Sequence, residues 1–120
     1  MIWFKKKQRS PEELTVTKIT FIGEQDGVPE QELKSALTIL FSNHATVMSA
    51  FLAQVDYGSS SEFNVALCIR SEIPEDVDLK EEAGRIFSAQ FGTHEHLDII
   101  FLGMEQEKNL RHVCKPFYEK

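Results

Sequence analysis

VMSAFLAQVDYGSSSEFNVALCIR, residues 47–70, is the stretch on which the fold turns. Its two ends are apolar and rich in strand-forming residues, and GSSS at 58–61 between them has turn chemistry. Side chains on a strand alternate between faces. Counting from Val47, residues Val47, Ser49, Phe51, Ala53, Val55 and Tyr57 take one face. Met48, Ala50, Leu52 and Gln54 take the other. In the returning run, Phe63, Val65, Leu67 and Ile69 share a face. Two such runs joined by a short polar turn predict an antiparallel hairpin.

The chain before the hairpin supplies a strand and a helix. TVTKITFI at 15–22 is β-branched and alternating, and GEQDGV at 23–28 interrupts it. Pro29 suits the first turn of a helix, where its missing N–H costs nothing. Leu33, Ala36, Leu37, Leu40 and Phe41 then form one apolar stripe. Glu30 and Glu32 complement the helix dipole at its start, and Ser42, Asn43 and His44 end it.

The chain after the hairpin repeats the theme. Asp78 is a candidate N-cap, with Glu81 three residues on to complete a capping box. Leu79, Ala83, Ile86 and Phe87 mark the buried face of this second helix, and Gly92 is placed to stop it. HLDIIFL at 96–102 predicts a fourth strand, and 105–113 a short helix that ends before Pro116. The order β-α-β-β-α-β predicts a ferredoxin-like α+β two-layer sandwich. That fold has a four-stranded antiparallel sheet with two helices on one face, and here a short C-terminal helix follows. Residues 1–13 are expected to be a basic tail and 14–120 one domain.

Two helices on one face leave the other sheet face to be covered. By the alternation above it carries Met48, Ala50, Leu52, Ala66, Cys68, Ile100 and Leu102. Apolar patches of several hundred Å² rarely stay bare on a monomer. Three covers are open: the chain's own ends with Trp3, Phe4, Phe117 and Tyr118, a second copy, or a foreign partner or ligand. Met48, Leu52, Ile100, Leu102, Phe117 and Tyr118 are therefore the candidate partner-binding residues, or the residues that cover that face.

Composition narrows the function classes. The formal net charge is −6 over 120 residues. Lys5, Lys6, Lys7 and Arg9 all fall in the first ten residues, which hold no acid, so the remainder is still more acidic. Such a body repels phosphate and argues against a nucleic-acid partner. No apolar run approaches the roughly 18 residues of a membrane helix, so membrane insertion is not expected. MIWFKKKQR lacks the order of a signal peptide. Cys68 and Cys114 are the only cysteines, and two thiols without a framework suit a reducing cytoplasm.

Motifs for chemistry are missing. There is no GxGxxG, no GxSxG, no HExxH and no CxxC. His94 and His96 form an HxH with Asp98 on the same side, which falls one ligand short of a metal site and is more simply a solvated strand entrance. His44 and His112 lie near predicted helix C-termini, where the dipole accounts for them. No catalytic residue, metal or cofactor is assigned, and no enzyme is expected.

LDIIFLGMEQEKNLRHVCKPFYEK at 97–120 combines an apolar strand, a Gly turn, a short helix and a closing PFY. It resembles the C-terminal domain of the enhanced serine sensitivity protein SseB family. ELKSALTILFSNHATV at 32–47 and AFLAQV at 50–55 are similar to that family's helix and following strand. The resemblance runs from about Ile19 to Lys120. Its most specific pieces, AFLAQ and PFY, are packing motifs. It implies no settled reaction, cofactor or catalytic position. Related domains look like accessory or immunity modules near bacterial toxin loci, and longer members carry a further domain ahead of this one. The expectation is a non-enzymatic bacterial interaction module with a protein partner or itself. The alternative is an amino-acid-sensing regulatory domain acting as a homodimer, by analogy with other ferredoxin-like domains.

Overall fold

The computed structural model of the protein describes residues 19–56 and 64–120. The expected tail at 1–13, with Trp3 and Phe4, and the turn at 58–61 lie outside the described residues. Within them the order is β1 (Thr20–Glu24), α1 (Val28–Ser42), β2 (Val47–Asp56), β3 (Asn64–Ser71), α2 (Val77–Phe91), β4 (Asp98–Phe101), α3 (Met104–Leu110) and β5 (Tyr118–Glu119). The α+β class agrees with the sequence pattern.

The sheet does not have ferredoxin topology. It is mixed, in the order β1-β2-β3-β4, with β5 also paired to β2. β1 pairs antiparallel with β2, and β3 pairs parallel with β4. The reason lies in the length of β1. Thr20 stands opposite Asp56 and Glu24 opposite Ala53, so β1 covers only the far half of β2. α1 then continues in the direction of β1, and β2 returns beside both. The other half of that edge is filled by β5, where Glu119 faces Ser49 and Tyr118 faces Ala50. Only β3-α2-β4 is a crossover between parallel neighbours.

The helices begin and end on local chemistry. Gly27 precedes α1 and Pro29 lies in its first turn. α2 is capped by Asp76, two residues before the expected Asp78, and the Asp76 carboxylate accepts from the Leu79 amide at 3.2 Å. Gly92 stops α2 at φ 89°, a left-handed conformation that suits glycine. The Gln106 side chain accepts from the Gly103 amide at 2.9 Å to open α3. α1 and α2 lie antiparallel. Gln90 donates to the Pro29 carbonyl at one end, and His44 meets Glu82 at 3.3 Å at the other.

One irregularity sets which side chains face which layer. The β2–β3 register runs Val47 to Ser71, then Ser49 to Arg70, so β2 has one extra residue at Met48. A bulge of this kind reverses the alternation beyond it. Val47 and Ala50 consequently lie on the same face. Ala50 and Leu52 pack with Val65, Leu67 and Ile69 beneath Leu33, Leu37 and Phe41 of α1 and Leu79, Ala83 and Phe87 of α2. Phe51, Ala53 and Val55 point the other way, with Ala66, Cys68 and Leu102. The expected faces for β3 and β4 hold; those for β2 beyond Met48 are inverted.

The second face is covered by the chain itself. Leu110 of α3 and Cys114 behind it pack on Phe51, Ala53, Val55, Ala66 and Cys68, so the fold has helices on both sides of its sheet. Phe117 and Tyr118 do not take part in that cover. They join the core on the side of α1 and α2, with ring centroids 6.1 and 5.9 Å from Phe41.

Leu52 is fully buried, whereas Met48 is 38% exposed. Leu52→Ala is expected to lower the unfolding free energy by about 2–5 kcal/mol in urea titration. Met48→Ala is expected to change it by less than about 0.5 kcal/mol. Equally small losses at both positions would place Leu52 on an open face.

Candidate functional site

The bulge at Met48 also builds an open groove lined with charged side chains. Beyond it, Ser49 turns onto the α3 side of the sheet. Its neighbours in register are Arg70 on β3 and Glu119 on β5, which makes a row Arg70–Ser49–Glu119 across three strands. α3 crosses above this row and presents Glu107, and Arg111 follows four residues later. Met48 and Lys120 complete the rim of an open groove of about 360 Å³.

Glu107 holds the groove together. Its carboxylate accepts from the Ser49 hydroxyl at 2.7 Å, from Arg70 Nε at 3.2 Å and from Arg111 Nη2 at 3.0 Å. Arg111 also donates to Glu119 at 2.7 Å and stacks 5.4 Å from the centre of the buried Phe51 ring. Lys120 donates to the Ala45 carbonyl and fastens the strand that carries Glu119. Burial opposes ionisation of Glu107, but the Ser49 hydroxyl and the Arg111 and Arg70 charges outweigh it and hold the carboxyl below its ordinary 4.5. The two carboxylates raise Arg111 above its ordinary value.

Other reactive groups lie apart from this groove. Cys68 is buried, and desolvation pushes its thiol far up, with Cys114 and Asp98 adding to the effect. Burial pushes Cys114 up to about 12, with Glu24 adding and Lys34 opposing. Neither thiol has the electropositive, accessible surroundings of a reactive cysteine. His96 contacts Asp98, and His94 is exposed at the turn before it. Among the described residues no group of three His, Cys, Asp or Glu side chains is placed to hold a metal. The buried Lys34 is tied to Glu24 at 2.9 Å and to Asp26 at 3.3 Å, which secures the β1–α1 turn.

The six residues singled out in the sequence do not converge. Leu52 is buried under the helices, and Leu102 is buried under α3. Ile100 is half-buried on the α3 side, away from Phe117 and Tyr118 on the opposite face. Met48 alone lines the groove. Of the groove residues, Glu107 and Arg111 carry the only local signal, an i,i+4 acid–base pair on one helix face. Ser49, Arg70 and Glu119 come together only through strand register.

Fold and groove define a small α+β domain with a charged, open cleft assembled across its sheet. The chain belongs to the SseB protein C-terminal domain family, whose model matches residues 22–120. Neither the comparison with curated proteins nor that with solved structures returns a match. Among the described residues, no helix is long and apolar enough to cross a membrane.

A carboxyl with a depressed folded pKa stabilises the fold above its unfolded value, and the contribution is lost as pH falls through the folded value. Glu107→Gln is therefore expected to cost about 1–3 kcal/mol at pH 7, the range for a buried charge-assisted hydrogen bond. The difference from wild type should shrink as pH drops below 4.5. Thermal unfolding at pH 7 and at low pH measures both; a pH-independent difference would mean that the charge of Glu107 contributes nothing.

Native protein at mildly alkaline pH should leave Ellman's reagent almost unreacted. Unfolding in guanidinium should release two thiols, Cys68 and Cys114. Rapid labelling of the native protein would contradict their burial.

Proposed function

We propose that this chain is a non-enzymatic interaction module of a bacterial cytoplasm, and that it receives a protein partner at the Glu107 groove. The observation that carries this reading is the state of the two arginines. Glu107 orients both, so the entropy cost of ordering long cationic side chains is met before a partner arrives. Arginine is, with Trp and Tyr, among the side chains enriched at interface hot spots.

The chemistry favours binding over turnover. A base for Ser49 would need a carboxyl tuned upward towards neutrality. Glu107 is shifted the other way, and Ser49 is only 1% exposed. A second reading is a sensor for a small amino acid. It draws on one feature, that a groove of about 360 Å³ presents cations and carboxylates together, as a zwitterion requires.

The test is affinity capture from lysate of the source cell, with wild type, Arg70→Glu and Ile39→Glu compared. Ile39 is 67% exposed on α1, remote from the groove, and serves as the surface control. The expected result is a protein retained by wild type and Ile39→Glu and lost with Arg70→Glu. Identical recovery with all three would remove the groove from the interaction.

A further inference from the structure

We infer that the groove is a carboxylate site, already held in part by the chain's own Glu119, and that a ligand's carboxylate enters by displacing it. This rests on the binding reading above and names the chemistry of what is bound.

The donors have not all been used. Arg70 spends only its Nε on Glu107, and its two terminal nitrogens have no partner among the described residues. Arg111 uses Nη2 for both of its carboxylates. The two guanidiniums flank Ser49 at the groove floor, and the planar fork of such a group matches a carboxylate in two-point contact. Glu119 shows that a carboxylate fits: it lies 2.7 Å from Arg111. Unlike Glu107, whose side chain is 18% exposed, Glu119 is 55% exposed and sits on a two-residue strand. It is the member of the cluster that moves at least cost.

The resident anion selects the ligand class. Arg111 already holds one side-chain carboxylate, that of Glu119, at 2.7 Å, and a ligand carboxylate that replaces it meets the same donors. The Glu107 carboxylate, fixed between both arginines, opposes a second negative charge on the ligand.

The carboxylate has two sources, an acidic protein segment or a free amino acid, and one titration separates them. Backbone amide shifts of isotope-labelled protein are followed with three probes: an acetylated, amidated Asp-Glu peptide, L-alanine, and inorganic phosphate. Saturable shifts centred on Ser49, Arg70, Glu107 and Arg111 with the peptide or with alanine are expected, and the tighter of the two names the source. Arg70→Gln should weaken that probe roughly tenfold, the scale of one charge-assisted hydrogen bond. Glu119→Gln should tighten it several-fold, because an internal competitor at high effective concentration is removed.

Absence of saturable shifts at the groove with both carboxylate probes overturns the inference, as does phosphate binding more tightly than either. A Glu119→Gln variant that remains folded and binds no better than wild type also overturns it. Failure of the probes while Arg70→Glu still abolishes partner capture leaves the interaction reading intact and removes only the carboxylate. Carboxylate binding with capture unchanged by Arg70→Glu does the reverse.

Discussion

The extra residue at Met48 is the constraint on which the rest depends. A strand has a period of two, so one inserted residue exchanges the faces of everything beyond it. Without the bulge, Phe51 would point at α1 and α2, and Ala50 and Leu52 would point at α3. The two cores would then have the wrong volumes. Under α1 and α2, the small Ala50 leaves room at the edge of the core that Phe41, Phe117 and Tyr118 fill. Under α3, the large Phe51 supplies the bulk that a seven-residue helix cannot. The same insertion turns Ser49 towards Glu107 instead of into the hydrocarbon of the helix-side core.

Much of the architecture is legible from local pattern. The hairpin, both long helices with their stripes, the Gly92 stop and the short third helix follow from periodicity and caps over residues near one another. The faces of β3 and β4 are legible for the same reason. The phase of β2 beyond Met48 is not, because a bulge is a property of pairing between two strands. VMSAFLAQ alternates equally well with or without it. Topology fails for a related reason. An element order of β-α-β-β-α-β fits both a ferredoxin-like sheet and the mixed sheet seen here. The choice rests on β1 being too short to span β2, and β1 ends where α1 takes over its direction. β5 is invisible in the sequence, since two residues carry no period.

The groove shows the same divide more sharply. Glu107 and Arg111 are readable as a helix pair. Their partners are residues on β2, β3 and β5 that no spacing rule connects. An apolar surface invites prediction because hydrophobicity is conspicuous in a sequence, and that draws attention to Leu52 and Leu102. Both prove to be core residues with a layer above them. The polar row across the sheet has no such signal, because single Ser, Arg and Glu residues on strand ends are ordinary until register aligns them.

Glu107 and Lys34 illustrate why a charge cluster alone does not mark a site. Lys34 is the more buried of the two, and its partners Glu24 and Asp26 hold it at the β1–α1 turn. Its ion pairs close a structural corner. Glu107 is equally well paired, but its partners reach it from one side, and the other side of both arginines borders an open groove. Burying a charge is costly unless its donors and acceptors are matched. In the Glu107 cluster the matching is incomplete at Arg70 and is supplied at Arg111 by an exposed carboxylate on a two-residue strand. The cluster thus sets a well-paired anion at its base beside a more exposed one at its lip, and the carboxylate proposal rests on that contrast.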